Sequence, residues 1–566
     1  MTARETPWQD IAEAKRKAIS DSIPKEWRLA SVPSIEEQRD VTESSVKTHL
    51  SRREIQITET DASGIVQKTT NGEWKVVEVT KAFCHRAALA QQLVNCLHEM
   101  FFDAAVSDAT RLDEYYASNK KPIGPLHGLP ISLKDQFHVK GVETSMAYVG
   151  WIGTFEGKKG TGQEKLFESE LVKELRALGA VLYCKTSVPQ SLMFGETVNN
   201  IIGTTTNPKN RELSSGGSSG GEGALMGLYG SPLGFGTDIG GSIRIPASFN
   251  GLYGIRPSFG RLPYDGMANS IDGQTSVLSV NGPISHSPVS LKLAFKALLS
   301  QQPWLRDPLC LELPWRDEQA AKVSEQFAFG VLKFDGTVTP HPPVRRAIDT
   351  VVKALEQQGH QIFEWRPPAH SRGTSLCGKA YVYDGGHDIH KNLRLSGEPA
   401  LPQIVGSYGK DEPNKQADAT AIAANNVAKR SFQKEYLDYW NSTSTQSGTG
   451  QPADAFIMPI APFAAARHGR YRYYGYTTII NTLDYTACAI PVTNIDKNID
   501  RIDENFQPLS DLDKQVHEDY DPEIYDGAHV GVQLVGRRFQ EEKVLALTEL
   551  IGNALKTSED GEQAKL

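Results

Sequence analysis

Gly216 to Pro257 reads GGSSGGEGALMGLYGSPLGFGTDIGGSIRIPASFNGLYGIRP. Two small-residue turns, Gly216-Gly217-Ser218-Ser219-Gly220-Gly221 and Gly236-Thr237-Asp238-Ile239-Gly240-Gly241-Ser242, bracket a short apolar segment. Ser218 and Ser242 stand 24 positions apart. Glycine is used where the backbone needs a positive φ or must come close to a ligand. Glycine clustered around serine therefore predicts hydroxyls held on bare backbone, with N–H groups free to point at a substrate.

Other readings of the stretch fare worse. A Gly/Ser linker would not run on into Ala224-Leu225-Met226 and Ile243-Arg244-Ile245-Pro246. A phosphate-binding loop needs G-x-x-x-x-G-K-[ST], and no Lys-Ser or Lys-Thr follows these glycines. Gly217-Ser218-Ser219-Gly220-Gly221 does contain G-x-S-x-G, with Ser219 as the would-be nucleophile of an α/β-hydrolase. That reading needs a partner histidine. His360, His370 and His387 lie downstream with nothing around them to mark one out, and the repeated glycine cluster ending in Ser242 would go unexplained.

Working outward, Leu126-His127-Gly128-Leu129-Pro130-Ile131-Ser132-Leu133-Lys134-Asp135 carries a lysine after a mostly apolar approach. A lysine is ordinarily a solvated surface amine. Buried, its charged form is disfavoured, its pKa falls and it can act as a base. This block, GGSSGG and G-T-D-I-G-G-S-x-R-x-P-A together resemble the amidase signature hydrolases, from about residue 60 to about residue 550. Within that family the chain is most similar to the fungal acetamidases. Lys185-Thr186-Ser187-Val188-Pro189-Gln190-Ser191, Tyr471-Arg472-Tyr473-Tyr474-Gly475-Tyr476 and Gly531-Val532-Gln533-Leu534-Val535-Gly536-Arg537-Arg538 carry the closer likeness.

The resemblance implies a Ser-Ser-Lys triad, with Lys134 as base, Ser218 as proton shuttle on a cis peptide bond and Ser242 as nucleophile. It implies an oxyanion hole from the backbone N–H groups of Ile239, Gly240, Gly241 and Ser242, an acyl-enzyme, and hydrolysis of small amides to a carboxylic acid and ammonia. No metal or organic cofactor is required. Leu192 and Met193 are expected to wall the acyl pocket. Asp238 and Arg244 are expected to form a structural ion pair, and Ser219 to hold the turn by hydrogen bonding. Two departures from the family pattern stand out: Gly527-Ala528-His529-Val530 has histidine where proline is usual, and Arg256-Pro257-Ser258 replaces Lys-Pro-Thr. The same chemistry would serve urethanes, aryl amides or esters. It would also serve a glutaminase subunit of the amidotransferase type, against which stand the acetamidase-like segments and the lack of a basic, tRNA-facing region.

Bulk properties agree with an enzyme acting on a small molecule. The chain has 566 residues, 39% hydrophobic and 23% charged, and a formal charge of −8. That balance disfavours a nucleic-acid partner, which calls for a basic face. No apolar run approaches the roughly 20 residues that span a bilayer, so no membrane partner is expected. Six scattered cysteines without C-x-x-C spacing read as reduced thiols. The first residues, MTARETPWQDIAEAKRK, lack the features of a signal or transit peptide. The cytosol is therefore the expected compartment, with a peroxisomal address as the alternative, since Ala564-Lys565-Leu566 resembles S-K-L. Homodimers occur in the family.

The fold expected is α/β: a single large domain with a central mixed sheet covered by helices on both faces. Residues 1–57 are assigned to an N-terminal helical extension, 58–555 to the catalytic domain and 556–566 to a polar tail. Helices are predicted over 8–20, 76–97, 104–116, 167–178, 291–299 and 343–358 from apolar spacing. Strands are predicted over 131–133, 180–184, 329–332, 455–459, 485–492 and 530–535. Residues 367–402 are assigned to a substrate-facing cap, 441–452 to a surface loop, and 494–527 to an acidic excursion.

Overall fold

Short apolar runs bounded by glycine and proline become the strands of one sheet, because a strand covered on both faces has no polar side to present. The structure, a computed structural model, describes residues 7–320 and 326–563. In chain order the strands are β1 (Leu97–Met100), β2 (Pro130–Lys134), β3 (Val181–Thr186), a small hairpin of β4 (Val198–Asn199) and β5 (Gly203–Thr204), β6 (Leu233–Asp238) and β7 (Tyr253–Arg256). They continue with β8 (Val280–Ser285), β9 (Ala328–Val331), β10 (Gln361–Glu364), β11 (Ala455–Pro459), β12 (Ala487–Asn494) and β13 (His529–Val535). All but the hairpin join an 11-stranded sheet in the order β1-β3-β2-β6-β8-β7-β12-β13-β11-β9-β10. Helices cover both faces, and one large buried cluster runs from Ile23 to Leu555.

The sheet is mixed, and its parallel part positions the site. β2 runs parallel to both β3 and β6, with Ser132 opposite Gly234 and Leu133 opposite Phe235. The carboxyl ends of β2 and β6 therefore lie side by side, where open α/β sheets place their ligands. Lys134 ends β2, and Asp238 ends β6 and leads into the loop that carries Ser242. β6 then pairs antiparallel with β8.

Several boundaries differ from the sequence expectation. The predicted 76–97 helix stops at Val94, because Asn95 adopts a left-handed conformation (φ 55°), and Leu97 opens β1 instead. The 167–178 helix begins only at Glu170. Residues 441–442 finish a long helix, Ala419–Ser442, that went unrecognised, and Thr443–Thr445 continue as a 3-10 turn. That helix shows only a thin buried stripe of Asn425, Phe432, Tyr436 and Trp440. The acidic 494–527 excursion contains the helices Asp511–Glu518 and Pro522–Tyr525.

The terminal boundaries also shift. A helix spans Arg52–Thr58, across the expected 57/58 division, and Val41, Val46, Leu50 and Ile57 belong to the main core. The helix Trp8–Asp21 is tied to the sheet edge by buried Lys15, which meets Glu143 at 2.7 Å and also pairs with Glu99. Residues 7–57 are thus packed into the body of the fold. At the other end, Glu541–Gln563 is one helix, so the expected tail is helical as far as Gln563. The tripeptide Ala564-Lys565-Leu566 lies outside the described residues. Among the described residues no helix is long and apolar enough to cross a membrane. All six cysteines are free, and all but Cys310 are buried. His529 opens β13 and sits 3.0 Å from Asn494 Oδ1, touching none of the expected triad.

Candidate active site

Two buried lysines stand near each other in this part of the sheet, and their partners separate them. Lys185 on β3 lies 2.6 Å from Asp135 Oδ1, a buried carboxylate that satisfies its charge. Lys134 is equally buried but has only hydroxyl neighbours: Ser218 Oγ and Thr237 Oγ1, each at 2.7 Å. Burial without a carboxylate in contact favours the neutral amine and pulls the pKa of Lys134 from 10.5 to about 7, although Asp238 and Glu222 act in the opposite sense from farther away.

The hydroxyl network sets the directions in which that amine can donate and accept. Thr237 donates its one hydroxyl proton to Gln136 Oε1 at 2.8 Å, so it can only accept from Lys134. A neutral amine that donates to Thr237 has its lone pair left for the Ser218 proton. Gln136 is itself held by Tyr264 and Asn269. Beneath this chain sits Glu222, on the helix Gly220–Gly227. It accepts from Ser132 Oγ at 2.6 Å and Thr186 Oγ1 at 2.9 Å, and burial pushes its carboxyl up to about 7. Gly234 on β6 makes room for it: a Cβ there would lie 1.9 Å from Glu222 Oε2.

Ser218 follows the cis peptide bond Gly217–Ser218. Ser219, the would-be nucleophile of the G-x-S-x-G reading, spends its hydroxyl on the backbone of Thr237 (3.3 and 3.4 Å) and its N–H on Ser242 O at 3.2 Å. It locks one glycine turn to the other. Ser242 Oγ has no hydrogen-bond partner among the described residues, and it lines a cavity of about 320 Å³. Leu192 and Met193 line the same cavity, with Ser191 and Leu192 both held at positive φ (69° and 65°). Non-glycine residues in that region cost energy and cluster at functional sites.

The loop before Ser242 is shaped by two anchors. Asp238 and Arg244 are fully buried and pair in a bidentate way along one guanidinium edge, Nε to Oδ2 and Nη2 to Oδ1, each at 3.0 Å. Burial alone would raise the Asp238 pKa, but the Arg244 charge and hydrogen bonds hold the carboxyl well below the usual range. Arg244 reaches on to Gln533 and Asn481 (both 2.8 Å), and Asn481 returns a bond to Asp238 at 2.9 Å. Asp238 also accepts the Gly241 N–H at 2.8 Å. Of the four expected oxyanion donors, that one is therefore occupied, while the N–H groups of Ile239, Gly240 and Ser242 have no acceptor among the described residues. Gly241 itself is required at its φ of 120°, where a Cβ would also meet Thr477 at 2.6 Å.

The second anchor is Tyr381, whose hydroxyl donates to Ile239 O. Because the peptide unit is planar and trans, fixing that carbonyl fixes the Gly240 N–H in the opposite direction. Tyr381 ends the helix His370–Tyr381, part of the stretch expected to form a cap, and it lines the cavity together with Thr374 and Val382. Thr237, Gln136, Glu222, Tyr381 and Asn481 were not singled out from the sequence. Thr237 and Glu222 lie inside the quoted glycine-rich blocks and could have been; nothing local marks the other three.

Removing one partner of a buried ion pair leaves an uncompensated charge, at a cost of about 3–5 kcal/mol. Arg244→Ala is accordingly expected to lower the apparent melting temperature markedly, as read by scanning calorimetry. An unchanged melting temperature would mean that the pair does not support the loop.

Residues 78–545 match the family model described as Amidase. The chain is 48% identical to an acetamidase of Aspergillus oryzae, over 97% of this chain and 99% of that one. It is also 48% identical to an acetamidase of Emericella nidulans, over 97% and 98% respectively. Among solved structures it matches fatty acid amide hydrolase with a TM-score of 0.89 and 34% identity, covering 97% of this chain and 95% of that one.

Proposed function

This chain belongs to the amidase family and is an amide-hydrolysing enzyme, and on that premise we propose that it cleaves short aliphatic amides through Lys134, Ser218 and Ser242. The observation that carries the residue assignment is the buried, carboxylate-free amine of Lys134, 2.7 Å from Ser218 Oγ, beside a cavity that Ser242 lines.

The proposed steps start from the Lys134–Ser218 contact. Neutral Lys134 takes the proton of Ser218, which takes that of Ser242, and Ser242 Oγ attacks the amide carbon. The N–H groups of Ile239, Gly240 and Ser242 receive the developing oxyanion; losing one such donor typically costs about 10²–10³ in rate. The proton returns through Ser218 to the leaving nitrogen, so that ammonia and not amide anion departs. Water then repeats the route against the acyl-enzyme, releasing the carboxylic acid and restoring all three residues. Asp238, Arg244 and Ser219 act through loop position, and Leu192 and Met193 wall the acyl side.

Ammonia release from acetamide, run beside Ser242→Ala and compared with ethyl carbamate, tests the substrate. Acetamide turnover lost in the mutant supports the reading. Ser242-dependent cleavage of the carbamate alone would keep the residues and move the substrate. One observation favours larger amides as a second reading: a cavity of about 320 Å³ bordered by Tyr381, Tyr408, Tyr473 and Tyr474 lies within the range of about 300–1,000 Å³ typical of sites for larger ligands. A higher kcat/KM for benzamide than for acetamide would establish it. Six cysteines without C-x-x-C spacing, read as reduced thiols, support the cytosol as the compartment.

Glu222 offers a check on the base. Its negative charge raises the Lys134 pKa, so Glu222→Gln should move the acid limb of the pH–rate profile to lower pH. A shift to higher pH, or none, would contradict that coupling.

A further inference from the structure

A second cavity, of about 510 Å³, is bordered by the Ala419–Ser442 helix, Arg537 and Arg538 just after β13, and the segment 275–278. Its charged lining is lopsided. Lys429, Arg537 and Arg538 supply three cations, and Asp484 is the one carboxylate. Asp484 is already committed: Oδ1 takes Arg256 Nη2 at 2.8 Å and the Phe259 N–H at 3.0 Å, while Oδ2 takes Arg538 Nε at 2.6 Å. Arg256, fully buried behind the wall, adds a fourth cation to the same carboxylate.

Lys429 and Arg537 have no carboxylate partner among the described residues. The Lys429 ammonium donates to the backbone oxygen of Ser276, and the Arg537 guanidinium lies over the Trp440 ring, 5.2 Å from its centroid. Both are half-buried, and that loss of water disfavours their charge: burial lowers the pKa of each. A chain of formal charge −8 thus holds, at one cavity, two partly desolvated cations with no carboxylate in contact among the described residues. Desolvated cations without an anion cost free energy that a bound anion returns.

We propose that this cavity is a binding site for a small phosphate dianion, held by Lys429, Arg537 and Arg538. The excess of cations over carboxylates matches two negative charges better than one, and the planar guanidinium forks suit phosphate oxygens. The site also touches the catalytic loop: Asn481 borders this cavity and bonds both Asp238 and Arg244, so an occupant meets the residue that braces the Ser242 turn. The proposal does not rest on the amide reading, since no group in it belongs to the triad.

The test is calorimetric titration of the full chain with inorganic phosphate and with glycerol 3-phosphate, at fixed ionic strength in chloride, with acetate as a monoanion control. Saturable binding of either phosphate is expected, weakened about tenfold or more in Lys429→Met and in Arg537→Gln and retained in Lys429→Arg. Preference for inorganic phosphate identifies the free ion as the ligand, and preference for glycerol 3-phosphate identifies a monoester. Circular dichroism and melting temperature, matched between the variants and the parent, separate lost binding from lost folding. No saturable binding of either phosphate, equal binding of acetate, or undiminished binding in both folded variants would overturn the proposal.

Discussion

Ser242→Ala is expected to lower amide turnover by at least about 10⁴-fold while leaving the melting temperature within about 1 °C of the parent. The magnitude follows from removing the nucleophile of a covalent mechanism, where only the oxyanion donors and substrate binding remain to accelerate attack by water. The small stability change follows from the surroundings of the side chain. Ser242 Oγ has no hydrogen-bond partner among the described residues, and the serine is tied in by its carbonyl, which accepts from the Ser219 N–H at 3.2 Å. Truncation therefore breaks no bond that holds the loop. Single-turnover assays with chromatographic detection of the acid would read the residual rate. Retention of more than about one per cent of activity would remove Ser242 as the nucleophile.

Lys134→Met should cost about 10³–10⁵-fold at neutral pH, and it should change the shape of the pH profile as well as its height. Burial draws the Lys134 pKa from 10.5 down to about 7. Below that value the amine is protonated and has no lone pair for the Ser218 proton. Above it the base is free, so kcat/KM of the parent should rise through about pH 7 and level off. The methionine variant, having no titrating group there, should give a flat profile across the same interval. A variant that kept the rising limb would assign it to another group, of which buried Glu222, itself displaced to about 7, is the first to examine. Ser218→Ala should resemble Lys134→Met in rate, because it interrupts the same proton path.

Much of this was legible along the chain. β2 could be read as an apolar run because it is buried along its whole length; β6, equally buried, was not predicted, because its Leu233-Gly234-Phe235-Gly236-Thr237-Asp238 mixes glycine and polar residues into the run. The glycine turns around Ser218 and Ser242 were legible because close backbone packing admits little else. The long Ala419–Ser442 helix was not, since its buried positions form too thin a stripe to register as amphipathic, and its core contacts come from aromatic residues meeting partners far away in sequence. The Glu541–Gln563 helix was not among the predicted ones, and its last residues, Ser558-Glu559-Asp560-Gly561-Glu562-Gln563, carry no apolar spacing that would mark a helix.

The candidate site divides in the same way. Which residue types stand in the glycine-rich loops, and that a lysine follows an apolar strand, are properties of local sequence. Which lysine suits the proposed role of base is not. Lys134 ends β2, Lys185 is the penultimate residue of β3, and both are fully buried, yet Asp135 stands 2.6 Å from Lys185, and only Ser218 and Thr237 stand against Lys134. The proton affinity of a buried amine depends on the charges within a few ångströms, and those are supplied by residues from distant parts of the chain. The order of residues determined that two amines would leave water; the packing of β2 between β3 and β6 decided which of them would do so without a counter-charge.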